Sequence, residues 1–167
     1  DITQKTVDAI KVIAQKYKLS YSEIAVLFPY KQHKLIKYYF LYWLEKALNE
    51  EDIPYSLITS SLDGAFDRKR YSDTNGVVVS TIDSSLGLDF KAVIIAGLYP
   101  YNYIFGDNYY KKEISSWNAI KGMDDDDQAQ VQSQMRAIYT ACSRARDILY
   151  VLSDLKPGSP MEEILKK

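Results

Sequence analysis

The chain has little of what builds the commonest special-purpose sites. Its 167 residues include one cysteine and one histidine, which excludes a disulfide framework and any zinc site made from Cys and His alone. A lone cysteine agrees with a reducing, cytoplasmic compartment. Neither charge is in excess: 21 Lys and Arg stand against 22 Asp and Glu, a net charge of −1. A strongly basic nucleic-acid binder is therefore excluded as a description of the whole chain, though a local basic patch is not. No apolar run reaches the ~18 residues that span a bilayer, so no membrane partner is expected. The opening DITQKTVDAIK lacks the basic-then-apolar order of a signal peptide. It also lacks an initiator Met, and the expectation is a fragment of a longer protein. Also missing is any Gly-x-x-x-x-Gly-Lys-Ser/Thr phosphate loop, so no complete nucleotide site of that type is present.

What remains is ordinary globular material: 47% hydrophobic and 26% charged residues, enough for one domain over 1–167 with a real core. The compositional oddity is 15 Tyr against five Phe and two Trp. Residues 3–17 space Val7, Ile10, Ile13 and Tyr17 as a helix, and 33–49 do so with Leu35, Tyr39, Phe40, Trp43, Leu44 and Leu48. Ile24–Phe28 is a continuous apolar run stopped by Pro29, which reads as a buried strand. Further strands are expected over 55–59, 77–80, 92–96 (ending at Gly97) and 148–152. Residues 60–75 read as a loop and 98–127 as irregular. Residues 128–144 are helical in spacing, with Val131, Met135, Ile138, Tyr139 and Cys142 on one side, and 160–167 can form a short last helix. Strands and helices alternate, and the strands lack period-two polarity. That is the signature of an α/β domain whose mainly parallel sheet is covered on both faces.

Several clusters invite chemistry, each with a simpler reading beside it. His33 and Cys142 could pair as base and nucleophile, but without a local signature they read as a polar helix-start residue and a small core residue. Asp124–Asp127 could gather Mg²⁺, yet such a run ordinarily complements a helix N-terminus. Tyr99, Tyr101, Tyr103, Tyr109 and Tyr110, with Lys111 and Lys112, could stack nucleobases, or pack as a surface loop. Arg68-Lys69-Arg70 could contact phosphates, though three solvated charges need no explanation.

Two segments stand above this background. Residues 79–98 read VSTIDSSLGLDFKAVIIAGL, a strand, a Ser/Thr/Gly loop with an acidic residue, and a second strand. Residues 134–152 read QMRAIYTACSRARDILYVL, a helix carrying Arg136, Arg144 and Arg146 that leads into a strand. Together they resemble motifs V and VI of UvrD/Rep-type helicases. Thr81, Ser84, Gly87, Leu88, Asp89, Phe90 and Val93 correspond to the first motif, and Arg136, Tyr139, Ala141, Ser143, Arg144 and Ala145 to the second. Upstream, Glu23–Phe28 resembles the strand before motif IV, and Asp52-Ile-Pro-Tyr55 a short strand start further on. The departures are Asp83 for the family's His, Leu86 for its Lys, Pro29 for an Arg, and Met135 for the first Arg of motif VI.

The resemblance implies a three-layer RecA-like (P-loop NTPase-type) fold, and specifically the C-terminal of two motor domains. The phosphate loop and the Mg²⁺-binding acids would then belong to the N-terminal RecA-like domain of the same protein, which would bind most of the ATP and Mg²⁺. It implies an ATP-dependent DNA helicase or translocase, with Arg144 as the catalytic arginine finger and Gly87, Asp89 and Arg136 also at the nucleotide. It further places Thr81, Asp83 and Ser84 at single-stranded DNA, and no metal ligand in this chain. Phosphoryl transfer needs positive charge at the γ-phosphate as charge shifts in the transition state, and a planar Arg fork supplies it. By periodicity alone, Arg144 is a helix-end arginine and Asp89 a cap or turn carboxylate. The departures keep a rival in view, a degenerate, non-catalytic RecA-like domain that binds nucleic acid or protein.

Overall fold

A computed structural model of the chain describes residues 1–29, 40–58, 75–98 and 117–153. Helix α1 (Ile2–Tyr17) is followed by a 3₁₀ turn (Tyr21–Glu23), strand β1 (Ile24–Phe28), α2 (Phe40–Glu50), β2 (Tyr55–Ile58) and β3 (Val77–Thr81). A second 3₁₀ turn (Asp83–Ser85) leads to β4 (Phe90–Leu98), the short α3 (Trp117–Lys121), α4 (Asp125–Cys142) and β5 (Ala145–Ser153). The five strands form one sheet in the order β2-β3-β1-β4-β5, and all four pairings are parallel.

Parallel pairing explains why β1 reads as an unbroken apolar run. It lies between β3 and β4, and all five of its residues are buried. Alternate residues serve opposite faces: Ile24, Val26 and Phe28 pack with α1 and α2, while Ala25 and Leu27 pack with α4. Each large apolar side chain removed from water in this way contributes about 1.5–3 kcal/mol. On the first face Val7, Ile10 and Ile13 of α1 and Leu44 and Leu48 of α2 are fully covered. On the second, Val131, Ile138 and Ala141 of α4 meet Phe90, Val93 and Ile95 of β4. The result is a three-layer α/β domain around a parallel sheet, the arrangement expected of a RecA-like fold.

The differences from expectation lie at element ends and on one helix face. Strand β4 runs from Phe90 to Leu98, through Gly97 at φ +74°, where the pairing with β5 shifts register. Helix α4 begins at Asp125 and stops at Cys142, earlier at both ends than spacing suggests. Asp124 caps it by accepting from the Asp127 amide at 2.8 Å, with Asp125, Asp126 and Asp127 in the first turn. Part of the stretch read as irregular forms α3. Tyr139, placed by periodicity on the apolar side, is 75% exposed, because the covered stripe is the narrower one through Val131, Ile138 and Ala141. The first turns of the 33–49 helix, the loop over 60–74, Arg68–Arg70, Tyr99–Lys112 and the 160–167 helix lie outside the described residues.

Two predictions test this packing. A Cβ at Gly76 would come within 2.6 Å of the Pro54 carbonyl group and the Tyr55 amide nitrogen, all backbone. Gly76→Ala should therefore lower stability by about 1–3 kcal/mol, read as an earlier urea midpoint with an unchanged slope. The second concerns Glu23, whose carboxylate accepts from the Ser20 amide at 2.9 Å and its hydroxyl at 3.1 Å. Those two bonds, aided by Lys91 at 3.4 Å, hold its pKa below the ordinary glutamate value against the opposing effect of desolvation. A depressed folded pKa stabilises the protein above the unfolded value of about 4.3 and loses that contribution as pH falls through the folded one. The stability gap between the parent and Glu23→Gln should thus be present at pH 7 and shrink in acid; a gap that widens in acid contradicts the assignment.

Candidate functional site

An all-parallel sheet has two unlike edges, and the singled-out residues divide between them. Thr81 ends β3 opposite Phe28 at the end of β1, so it lies at the carboxyl edge. Phe90 opens β4 opposite Ala145, the first residue of β5, at the amino edge. Residues 82–89 join the two edges in one short connection. Thr81, Asp83 and Ser84 are thus at one end of this connection and Gly87 and Asp89 at the other.

At the carboxyl edge the hydroxyls are turned inward. Thr81 Oγ1 donates to Ser84 Oγ at 2.8 Å and accepts from the Ser84 amide at 3.2 Å, both residues being buried. Ser85 donates to the Ile82 carbonyl at 2.7 Å, and the Ile82 amide donates to the Phe28 carbonyl at 2.9 Å. Of the three residues assigned by resemblance to DNA, only Asp83 is exposed. The crevice where an open α/β sheet ordinarily takes a ligand lies at the carboxyl ends of strands whose connections leave in opposite directions. Here β1 and β4 meet that description, since α2 covers one face and α4 the other. Phe40 lies near these strand ends, its ring 5.8 Å from that of Phe28 and 3.4 Å from the place a Cβ of Gly97 would take.

The amino edge holds Arg144. It follows the end of α4, where the last carbonyls have no intrahelical partner, and its Nε donates to the Thr140 carbonyl at 3.3 Å. Nη2 donates to Ser143 Oγ at 3.2 Å, and Ser143 in turn donates to Thr140 O at 2.7 Å. Nη1 reaches across to the 82–89 connection, donating to the Leu88 carbonyl at 3.4 Å and standing 3.6 Å from Asp89 Oδ1. The Phe90 amide donates to the Arg144 carbonyl at 2.9 Å, which zips β4 to β5 beside the pair. The Arg144 side chain is 21% exposed and that of Asp89 60%.

Arg144 is therefore a helix-end arginine, as periodicity suggests, and also the residue that ties the two motif-like segments together. Two others assigned to the nucleotide stand apart from this contact. Gly87 turns at φ +79°, and among the described residues only its chain neighbours come within 4 Å of where a Cβ would be. Arg136 is exposed on α4, about two turns before Arg144, and its carbonyl accepts from Thr140 Oγ1 at 2.9 Å. Sequence reasoning did not single out Thr140 or the pairing of Ser143 with Arg144. Burial pushes the Cys142 thiol above its ordinary pKa, which suits a core residue better than a nucleophile. Among the described residues no group of three His, Cys, Asp or Glu could hold a metal ion, and no helix is long and apolar enough to cross a membrane.

No protein-family model and no curated protein matches the chain. Among solved structures it is similar to the C-terminal domain of a possible DNA helicase from Lactobacillus plantarum WCFS1, at 18% identity and a TM-score of 0.49. The alignment covers 95% of this chain and 70% of that one. The likeness is one of chain path.

The inward hydroxyls make a stability prediction. Thr81→Val keeps the shape but removes the acceptor of the buried Ser84 amide and the donor to Ser84 Oγ. A loss of about 1–2 kcal/mol is expected, seen as a melting temperature lower by roughly 2–6 °C. An unchanged melting temperature would mean that the hydroxyl is not engaged as described.

Proposed function

We propose that the chain is the C-terminal RecA-like motor domain of a UvrD-like, ATP-dependent DNA helicase or translocase, acting in the cytoplasm. Arg144 is its arginine finger, aimed at nucleotide held by the N-terminal RecA-like domain of the same protein. The observation that carries this reading is the edge on which Arg144 stands. An arginine at the amino edge is on the wrong side to serve a ligand in the domain's own carboxyl-edge crevice. It suits a ligand presented from outside.

The residues around it fit an oxyanion. Arginine carries five N–H donors and is permanently charged. Three of the donors of Arg144 go to neutral oxygens of Thr140, Ser143 and Leu88, which leaves two. The neutral contacts fix the guanidinium without cancelling its charge. Arg136 adds a second positive group on α4, the helix that Arg144 follows, and Gly87 and Asp89 form the facing loop. ATP with Mg²⁺ supplies the phosphoryl group whose transfer does work; this chain's share is the charge held ready for it. Tyr139 and Leu86, both exposed on the elements flanking Arg144, supply the apolar surface a docking domain would cover. On the opposite edge, Thr81 and Ser84 shape the backbone that would line part of a single-stranded DNA channel. The rival, a non-catalytic module binding nucleic acid or protein, draws on the exposed carboxylate of Asp83 at that channel and on Leu86, 56% exposed where the family has a lysine.

In the full-length protein Arg144→Ala should leave nucleotide affinity within a few fold and lower turnover by roughly 10³-fold or more, because the fork contributes most in the transition state. Arg144→Lys should rescue poorly, since an ammonium keeps the charge but not the two-pronged geometry. Arg146, exposed on β5, is the control and should be nearly silent. Turnover at saturating ATP and DNA decides: a crippled Arg146→Ala beside a healthy Arg144→Ala removes the assignment.

A further inference from the structure

We infer that Asp89 competes with phosphate for Arg144: its carboxylate is the charged partner of the guanidinium in the resting protein, and an incoming anion takes that partnership over. Asp89 is on this account a positioning residue that competes with the anion rather than a ligand to it. The inference rests on Arg144 being a phosphate contact and goes beyond it by assigning the contact a built-in competitor.

The contacts of Arg144 fall into two kinds. Thr140 O, Leu88 O and Ser143 Oγ are uncharged, come from both sides of the residue and lie at 3.2–3.4 Å. They determine where the guanidinium points, and at the long end of hydrogen-bond range they leave it able to move a little. Asp89 Oδ1 is different. At 3.6 Å it lies beyond a hydrogen bond, and it is the charged partner of Arg144 among the described residues. Asp89 is 60% exposed, so solvent screens the pair. An ion pair of this kind changes an equilibrium by only about two- to fivefold. A buried, bidentate carboxylate would lock the arginine; this one occupies it lightly.

The exposure of the Asp89 side chain gives the carboxylate somewhere to go. Gly87, two residues before it, sits at positive φ with no described residue other than its chain neighbours within 4 Å of its would-be Cβ, and Leu86 is exposed. Leu88 packs on the second core face and is held by Arg144, so the backbone stays in place and the exposed Asp89 side chain is what turns away. A polyphosphate carries several negative charges against one on the carboxylate, so approach of the anion both attracts the guanidinium and repels Asp89.

The test uses the 167-residue chain and inorganic tripolyphosphate, followed by the Nε–H resonance of Arg144 in ¹⁵N spectra. The expected result is that the resonance moves on titration and that Asp89→Asn tightens binding about two- to fivefold. Asp8→Asn, which removes the same charge from α1 on the far face of the sheet, should not. Ser143→Ala should broaden the Arg144 resonance and weaken binding, as expected of a lost aiming contact. Asp89→Ala provides a second variant should the amide substitution perturb the loop. If Arg144 responds in the parent while both Asp89 variants bind equally or more weakly, Asp89 is not a competitor and this inference falls alone. If Arg144 does not respond, or Arg144→Ala binds tripolyphosphate as the parent does, Arg144 takes no phosphate in this domain alone and this inference falls, while the arginine-finger reading is decided separately by turnover of the full-length protein.

Discussion

Parallel pairing obliges every connection to carry the chain from the carboxyl edge of the sheet back to its amino edge, and the rest of the molecule is arranged around that obligation. Helices satisfy it twice: α2 on one face between β1 and β2, and α4 on the other between β4 and β5. The connections from β1 and β4 move outward in opposite directions, as right-handed crossovers on opposite faces require. That choice leaves β1 central, buried on both sides, and read in sequence as five apolar residues in a row.

The connection from β3 to β4 meets the same obligation without a helix. It must skip past β1 and descend about six strand residues, ~20 Å at the usual rise, with only residues 82–89 available. A fully extended chain of this length reaches about 30 Å, so the single 3₁₀ turn over Asp83–Ser85 uses most of the slack. The inward hydroxyls follow from this. With so little chain, Thr81, Ser84 and Ser85 must satisfy the backbone locally, and they do so through side-chain bonds to one another and to Ile82. The same shortness delivers Leu88 and Asp89 to the start of β4, and hence to Arg144.

The layers were legible in the chain because their cause is local. Runs such as Val77–Val79 and Ala92–Ala96 are β-branched or small throughout and need no partner to be recognised as strands. Tyr139 was misplaced because a 3.6-residue period admits two neighbouring positions to one side, and only the width of the sheet contact decides between Ile138 and Tyr139. Tyrosine tolerates either outcome, since its ring is apolar and its hydroxyl is not. The contact of Arg144 with Leu88 and Asp89 spans more than fifty positions, and no spacing rule reaches that far. Resemblance put both segments at one ligand, but which atoms meet, and that Ser143 and Thr140 join them, depends on how β4 zips to β5.

Stability and chemistry share one side chain at this edge. Arg144 completes the end of α4, fastens the 82–89 connection and presents its charge outward, so removing it disturbs all three together. The neutral acceptors make the sharing workable. A carboxylate used as a structural anchor would have cancelled the charge that the edge presents, whereas carbonyl and hydroxyl oxygens hold a guanidinium and leave its field intact. Lysine at this position could not do both, because its three donors diverge from one atom, while the arginine plane engages oxygens on two sides and still turns unused N–H groups outward. The geometry of the fork, more than its charge, is what this site requires.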